Sequence, residues 1–411
     1  MRINRLFCGC LSLSCLSSPL YAALIEDSKA SLYMKNLYFD RDIKDQHQLP
    51  TRPDLDHWSQ SFTLNLNSGY TDTPVQVGLD ATARYAIRLS SGKNIVDNVM
   101  PYDSKHQQQA RDHLKLGAAL KLKYQKTELK IGELVPKLPI IHTDAVMQLP
   151  TTFLGALLES TDIQNTKITA GRITKVSGRN EEDYAKLRLI NGSTQAPSDG
   201  MNFLGVDYDF KDQQLRYFYA QLEDIYDQHF LGYEYRHRFN QLTQLKSNLY
   251  FFDTRDSGQR LEGKIDSQAF ASMNTLSYGP QSFGLGYKHM QGDTQFPLLA
   301  GWVPQVYLAN WSVGTYSAQD QRSWQLRYDY DFKNTAFKGL KTTLRYYYGD
   351  NIKTLDAHEG VEKELDVILN YEFQHARLKG LALNWLYADY KHSLARDYVE
   401  NRVAATYSYN F

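Results

Sequence analysis

The sequence is short of several things that exported enzymes and binding proteins commonly use. It has three cysteines, Cys8, Cys10 and Cys15, and none after residue 15. The rest of the chain therefore has no disulfide framework, thiolate metal site or cysteine nucleophile. A chain without thiols also crosses an oxidising compartment without wrong pairing. No apolar run beyond the first residues approaches the ~20 needed for a spanning helix. Neither sign of charge is in excess, with 46 Lys and Arg against 46 Asp and Glu, so nothing points to nucleic acid as a partner. There is no Gly-x-Ser-x-Gly, no His-Glu-x-x-His and no evident serine–histidine pairing, hence no motif for catalysis, for a metal or for a cofactor. Solenoid repeats, low-complexity tracts and interdomain linkers are missing too.

Residues 1–22 have the order of a secretory signal. Arg2 and Arg5 precede an uncharged, largely apolar stretch from Leu6 to Leu16, and Ser17, Ser18 and Pro19 lead to the small-residue exit Tyr21-Ala22-Ala23. Cleavage is expected near Ala22 or Ala23. Cys15 suggests a lipoprotein signal as an alternative, but Ser12 stands where that signal needs a large aliphatic. Residues 23–411 read as one domain.

What is abundant is tyrosine, 30 residues of it, together with alternation at period two. Val75, Val77, Leu79, Ala81, Ala83, Tyr85, Ile87 and Leu89 alternate with a face that holds Asp80, Arg84 and Arg88. Leu114, Leu116, Ala118, Leu120, Leu122 and Tyr124 oppose Lys115, Lys121 and Lys123. The same rule sorts Leu204–Phe210, Leu231–Arg238, Trp324–Phe332, Leu344–Tyr348, Leu365–Phe373 and Leu381–Tyr387. The chain ends on Val403, Ala405, Tyr407, Tyr409 and Phe411, with small or polar residues between them. Strands with one apolar and one charged face, and aromatic residues toward one end of the apolar face, suit a transmembrane antiparallel β-barrel. Several alternations run about ten residues, enough for a tilted bilayer crossing and longer than the ~5–6 of an ordinary sandwich strand. At roughly 20 residues per strand and connection, the chain suggests an even number of strands between about 16 and 20. Mean hydropathy, −0.52, does not argue against this, because every second residue faces a wet lumen. Location follows from the fold: the bacterial outer membrane, with membrane lipid around the barrel and the C-terminal Phe411 offered to the barrel-assembly machinery.

One segment breaks the alternation. Leu134-Val-Pro136-Lys-Leu-Pro139-Ile-Ile-His142 continues through Gln148-Leu-Pro150-Thr-Thr-Phe153 to Leu158. Its prolines forbid a central strand, and it is too apolar for a solvated loop. It reads either as a loop folded into the lumen, with Pro136, Pro139, His142, Pro150 and Phe153 in the constriction, or as a loop packed over the rim. His142 reads as a loop contact rather than a ligand.

These motifs together resemble the OprD family of substrate-selective outer-membrane porins, over essentially the whole chain after the signal. The likeness rests on Ile25-Glu-Asp-Ser-Lys-Ala30, Asp40-Arg41-Asp42, Trp58-Ser-Gln-Ser-Phe62, Ser68-Gly-Tyr70 and Val77-Gly-Leu-Asp80. Pro136-Lys-Leu-Pro139, Ala170-Gly-Arg172, Tyr219-Ala-Gln-Leu-Glu-Asp-Ile-Tyr226 and Gly292-Asp293 continue it, and the run Ser323–Phe332, Arg345-Tyr-Tyr-Tyr-Gly-Asp350 and Asn401-Arg402 complete it. The resemblance implies an eighteen-stranded, monomeric barrel for passive diffusion. It also implies an eyelet formed by inward loops, and a ladder of arginines facing acidic groups and selecting small carboxylate-bearing solutes: basic amino acids, aromatic or other small organic acids, some antibiotics among them.

Arg345 and Arg402 are the first expected rungs, lumen-facing by period and matching family motifs. Arg327 faces inward as well, but Asp329 shares its face and can simply balance it. Arg41 and Arg172 match motifs, although their strands alternate too loosely to fix their facing. Arg84, Arg88, Lys115, Lys121 and Lys123 are inward by period alone, and wetting of a water-filled lumen is their plainer reading. Glu364, Asp366 and Asp329 are the candidates for the acidic side. Two other functions fit the same fold: a non-selective general porin, and an outer-membrane barrel hydrolase.

Overall fold

The computed structural model describes residues 22–45, 53–90, 98–353 and 359–411. The expected signal segment lies outside the described residues apart from Ala22, which opens the short helix Ala22–Glu26. Eighteen strands follow. They are β1 (Lys29–Asp45), β2 (Leu55–Asn67), β3 (Gln76–Arg88), β4 (Asp112–Tyr124), β5 (Thr127–Leu134), β6 (Thr152–Ser160), β7 (Thr166–Ser177), β8 (Met201–Phe210) and β9 (Gln213–Leu222). The second half comprises β10 (Tyr226–Arg238), β11 (Thr243–Asp256), β12 (Asp266–Tyr278), β13 (Gln281–Gln291), β14 (Arg322–Asp331), β15 (Leu340–Ile352), β16 (Gly360–Glu372), β17 (Leu381–His392) and β18 (Asp397–Asn410).

Each strand pairs antiparallel with its sequence neighbour, and β18 pairs with β1 from Ser31↔Asn410 to Arg41↔Glu400. The sheet is thus closed and has no free edge in the bilayer, where an unpaired backbone group would find no water. Ala185–Lys186 adds a two-residue extension beside the end of β7. No helix among the described residues is long and apolar enough to cross a membrane, so the crossing is made by strands.

The facing of the strands follows the alternation. Leu79, Leu114, Leu116, Leu231, Leu326, Val403 and Tyr409 are exposed on the outer surface, where lipid covers them. The two ends of the barrel differ. At one end tight hairpins join β4–β5, β8–β9 and β12–β13, and their turn residues Gln125, Lys211 and Gly279 sit at φ 54°, 53° and 58°, the left-handed geometry that two-residue hairpins require. At the other end lie the long connections 89–111, 135–151, 178–200 and 292–321.

The described parts of these long connections fold inward and give the lumen a core of its own. Leu138, Ile140 and Ile141 of one connection, Leu187 and Leu189 of the next, and Phe296, Leu299 and Leu308 of the longest are buried against wall residues. Those wall residues include Phe203, Phe218, Phe230, Phe252 and Met290. A smaller cluster packs Val99 and Met147 on Leu37 and Phe39 of β1. The segment 135–151 is therefore an inward loop and not a rim cover. It starts as a tight hairpin in which Leu138 and Ile141 exchange backbone hydrogen bonds at 2.9 and 3.3 Å, braced by the Lys137↔His142 bridge. Phe153 corrects the expectation: it belongs to β6 and not to the loop, because the strand resumes at Thr152, as soon as Pro150 is passed.

Candidate functional site

The inward loops are tied to the wall by buried lysines. Lys35 on β1 donates from Nζ to the carbonyls of Val146 and Met147, at 2.9 and 2.6 Å. Lys115 on β4 donates to the carbonyls of Pro150, Ser177 and Gly178, at 3.1, 3.1 and 2.9 Å. Lys288 on β13, fully buried, reaches the carbonyls of Thr315 at 2.9 Å and Asn310 at 3.4 Å. An ammonium has three donors and no acceptor, so one lysine can satisfy several carbonyls of a loop that has no ladder partner of its own. Three such pegs hold three connections inside the barrel.

On β16 the inward face is a column of carboxylates that grips the longest loop. Glu364 accepts from the backbone N–H of Val313 at 3.0 Å and of Gly314 at 2.8 Å. Asp366 accepts from Ser312 Oγ at 2.7 Å. Glu362 accepts from Tyr390 Oη at 2.5 Å and from Gln321. Gly314 is required where it stands, since a Cβ there would lie 2.7 Å from the Tyr390 ring and 2.9 Å from the Glu364 carboxylate. Glu364 and Asp366 are wholly buried. They face inward as the alternation indicates, but the loop covers them and they form no open acidic wall.

The arginines fall into two groups. Arg41 on β1 and Arg402 on β18 both donate to the buried carboxylate of Glu400, Arg41 through Nε at 2.6 Å. Two guanidinium groups on one carboxylate leave one positive charge over. The Arg41 guanidinium also lies 4.3 Å from the Tyr398 ring centre, a cation–π contact that holds it flat. Arg345 on β15 donates to Tyr347 Oη at 3.3 Å and stands 4.0 Å from Asp366. Arg41, Arg402 and Arg345 keep 22%, 16% and 21% of their side-chain surface open to the lumen. Arg84, by contrast, is buried against Glu133, with Nη1 at 2.8 Å from one carboxylate oxygen. Gly117 makes room for that pair, because a Cβ there would collide with the Glu133 carboxylate.

The other charges are mostly taken up in pairs of their own, although Arg327 opposes Arg345 in register. Arg327 makes a two-pronged pair with Asp329, at 2.7 and 2.8 Å, and lines a hollow of about 390 Å³ toward the tight-turn end. Lys121 pairs with Asp80 at 2.6 Å and, with Lys123, lies over the Tyr70 ring. Arg88 faces the wide cavity of about 800 Å³ at the long-loop end, beside Arg111 and Glu181. Wetting of the lumen does not describe Arg84, Lys115 or Lys121, all buried: Arg84 pairs with Glu133, Lys121 with Asp80, and Lys115 binds loop carbonyls. Arg172 does not line the lumen. In register its β8 partner is Asn202, and two residues along the exposed Leu204 opposes Ala170. Arg172 therefore shares the outer face, where it binds Glu223 and Asn202 near the rim. Pro136 and Pro139 are buried in the inward hairpin and Pro150 is half-buried under Lys115. The imidazole of His142 is pushed below its ordinary pKa by burial, and Lys137 adds to the effect.

Comparison with known proteins decides what this barrel is. The profile described as outer membrane porin, OprD family, matches residues 22–411. The chain belongs to the OprD family. The porin-like protein GalP of Pseudomonas putida is 29% identical over 399 residues, covering 95% of each chain. Among solved structures, Pseudomonas aeruginosa OpdK with vanillate superposes with TM-score 0.89 at 33% identity, over 94% of this chain and 100% of that one. Acinetobacter baumannii OccAB4 gives 0.89 at 34%, over 93% and 98%. The protein is thus an outer-membrane porin, a selective channel for small solutes and not an enzyme.

Several residues that shape this porin escape the sequence reading. Glu400 was readable, since it lies two residues before Arg402 and so on the same face. Lys35 and Lys288 were not. Leu37 and Phe39 share Lys35's inward face and blur the alternation of β1, while on β13 the outward Phe283, Leu285 and Tyr287 give the facing of Lys288 but not its partners, which are loop carbonyls.

Proposed function

We propose that the porin passes small solutes bearing a carboxylate, down their gradient, along Arg41, Arg402 and Arg345. The observation that carries this is the partial exposure of these three guanidinium groups, while Arg84 and Lys115 are spent on structure. A carboxylate entering a narrow passage loses water, and fork-shaped donors replace it. Two partly open positions, the Arg41–Arg402 pair on Glu400 and Arg345, let an anion bind and leave again, as one deep site would not. The aromatic carboxylate vanillate, held by the OpdK structure, agrees with this chemistry. We further propose that residues 1–22 are removed on export, that Phe411 presents the barrel to its assembly machinery, and that the channel works as a monomer.

Single-channel recording in a planar bilayer tests the proposal. Carboxylates of graded size should interrupt or modulate the current, and Arg402→Ala or Arg345→Ala should weaken that effect roughly tenfold or more, as losing a charge-assisted hydrogen bond of about 1.5–3 kcal/mol implies. Equal permeation of charged and neutral solutes of one size, unchanged in both variants, would remove the carboxylate reading and leave a general porin.

A further inference from the structure

Four of the long connections meet at one side chain outside the ladder. Arg179, just past the end of β7, donates from Nε to the carbonyl of Asn98 at 3.1 Å and from Nη1 to Asp144 at 2.6 Å. Its guanidinium lies 4.2 Å from the ring centre of Trp302. One planar group thus joins the connections 89–111, 135–151, 178–200 and 292–321. The loops are close enough here to need glycine: a Cβ on Gly178 would come within 3.0 Å of Gly301, whose φ is +85°. Trp302 is fixed from below by its Nε1–H to Asn180, at 3.0 Å. Asp144 is oriented by the backbone N–H of Val146 at 2.7 Å. Only 11% of the Arg179 side chain and 6% of that of Asp144 is exposed. Burial pulls the Arg179 pKa down, and Asp144 opposes that. The pair lies within electrostatic reach of Lys35, Arg402 and Glu400.

We propose that Arg179 is a positioning residue for permeation: paired with Asp144, it locks the four loops into one constriction and keeps that constriction's charge from exceeding the ladder's own. Breaking a buried pair by removing one partner leaves the other charge uncompensated. Each half of the pair therefore hides the opposite selectivity. Without Asp144, a fixed cation is added beside Arg402; without Arg179, a fixed anion is added there. The planar stack on Trp302 and the bond to Asn98 need the guanidinium fork, so lysine keeps the charge but not the clamp.

The test uses the full-length porin in planar bilayers with a potassium chloride gradient alone, so its outcome does not depend on carboxylate binding. Heat-modifiable gel mobility establishes folding. Asp144→Asn should raise the chloride-to-potassium permeability ratio and Arg179→Gln should lower it, each by at least about twofold, modest beside the tenfold and greater effects of charged clefts on local ion concentration. Arg179→Lys should keep the wild-type ratio but show fluctuating subconductance states. If either single variant fails to fold, the double variant D144N/R179Q is read instead, with a wild-type ratio and unsteady current expected. Shifts of the same sign in both single variants, or steady wild-type currents in Arg179→Lys or the double variant, would overturn the proposal.

Discussion

Along β9–β13 Phe218, Phe230, Phe252, Ala269 and Met290 form an apolar inward patch beside the buried Lys288, and the loop 292–321 meets it with Phe296, Tyr307 and Leu308. Along β14–β18 and β1–β4 the inward face carries Arg345, Glu364, Asp366, Glu400, Arg402, Lys35, Arg41, Arg84 and Lys115 among apolar residues such as Leu37 and Phe39. The first half holds its loop chiefly by ring packing, with Phe230 4.8 Å from Phe252 and 5.5 Å from Tyr307, and Phe252 5.6 Å from Phe296, and adds the lysine peg Lys288. The second half holds loops by charge to backbone: lysines on carbonyls, carboxylates on N–H groups. Packing leaves no room for water or solute. Charge-to-backbone anchoring spaces the loops away from some wall side chains, and three arginines remain partly open there. The apolar half packs its loop in place, and the charged half holds the three arginines to which the proposed solute route is assigned.

The largest effect expected is in the apolar half. Phe230→Ala removes a fully buried ring from the centre of the aromatic group. It should cost about 3–5 kcal/mol of unfolding free energy, read by urea titration in detergent with tryptophan fluorescence. A loss below about 1 kcal/mol, ordinary for an unexceptional site, would mean that packing does not anchor this loop.

A smaller effect is expected from a peg in the same loop. Lys288→Met keeps the length and apolar stem but leaves the Thr315 carbonyl without its donor. Leaving such a buried group unpaired should cost about 1–3 kcal/mol, with faster amide exchange confined to the loop around residues 310–316. Unchanged exchange would show that Phe296 and its neighbours hold the loop alone. Gly314→Ala attacks the same loop from the β16 side, pressing a methyl on Tyr390 and Glu364. Overpacking of this kind costs about 1–3 kcal/mol, and the current should become unsteady before the barrel unfolds. A steady current at wild-type conductance would mean that the Glu364 cradle does not shape the passage.

The same contrast explains what could be read from sequence. Where the lumen face stays charged, as in β3, β4, β14 and β16, period two gives both the strand and its facing, because lipid and lumen demand opposite side chains. Where a loop packs on the wall by apolar contact, the inward residues are apolar too. Leu37 and Phe39 on β1, and Ile173 and Val176 on β7, blur the alternation. On β5 the run is further broken at Gly132, held at φ 130°. This is why Arg41 and Arg172 could not be told apart by pattern: one lies beside Glu400 in the lumen, the other on the outer face beside Glu223. The role of Glu364 was hidden for a different reason. Its partners are backbone N–H groups fifty residues away, and backbone groups carry no sequence signal.

The smallest effect lies beside the tight turn of the inward hairpin, where His142 pairs with Lys137. His142 is half-buried, its Nδ1 has no hydrogen-bond partner, and burial together with Lys137 depresses its pKa. The unfolded chain therefore binds a proton more readily there than the folded one. The stability that depends on a neutral ring is present above the unfolded pKa of about 6.5 and is lost as pH falls below it. His142→Gln keeps a polar, uncharged side chain and removes that loss. Between about pH 7 and 5.5, a window around the unfolded histidine pKa, the urea midpoint of the wild type should fall more steeply than that of the variant. Parallel curves would mean that the hairpin is wet at His142, and that the boundary between the packed and charged halves lies deeper in the lumen than His142.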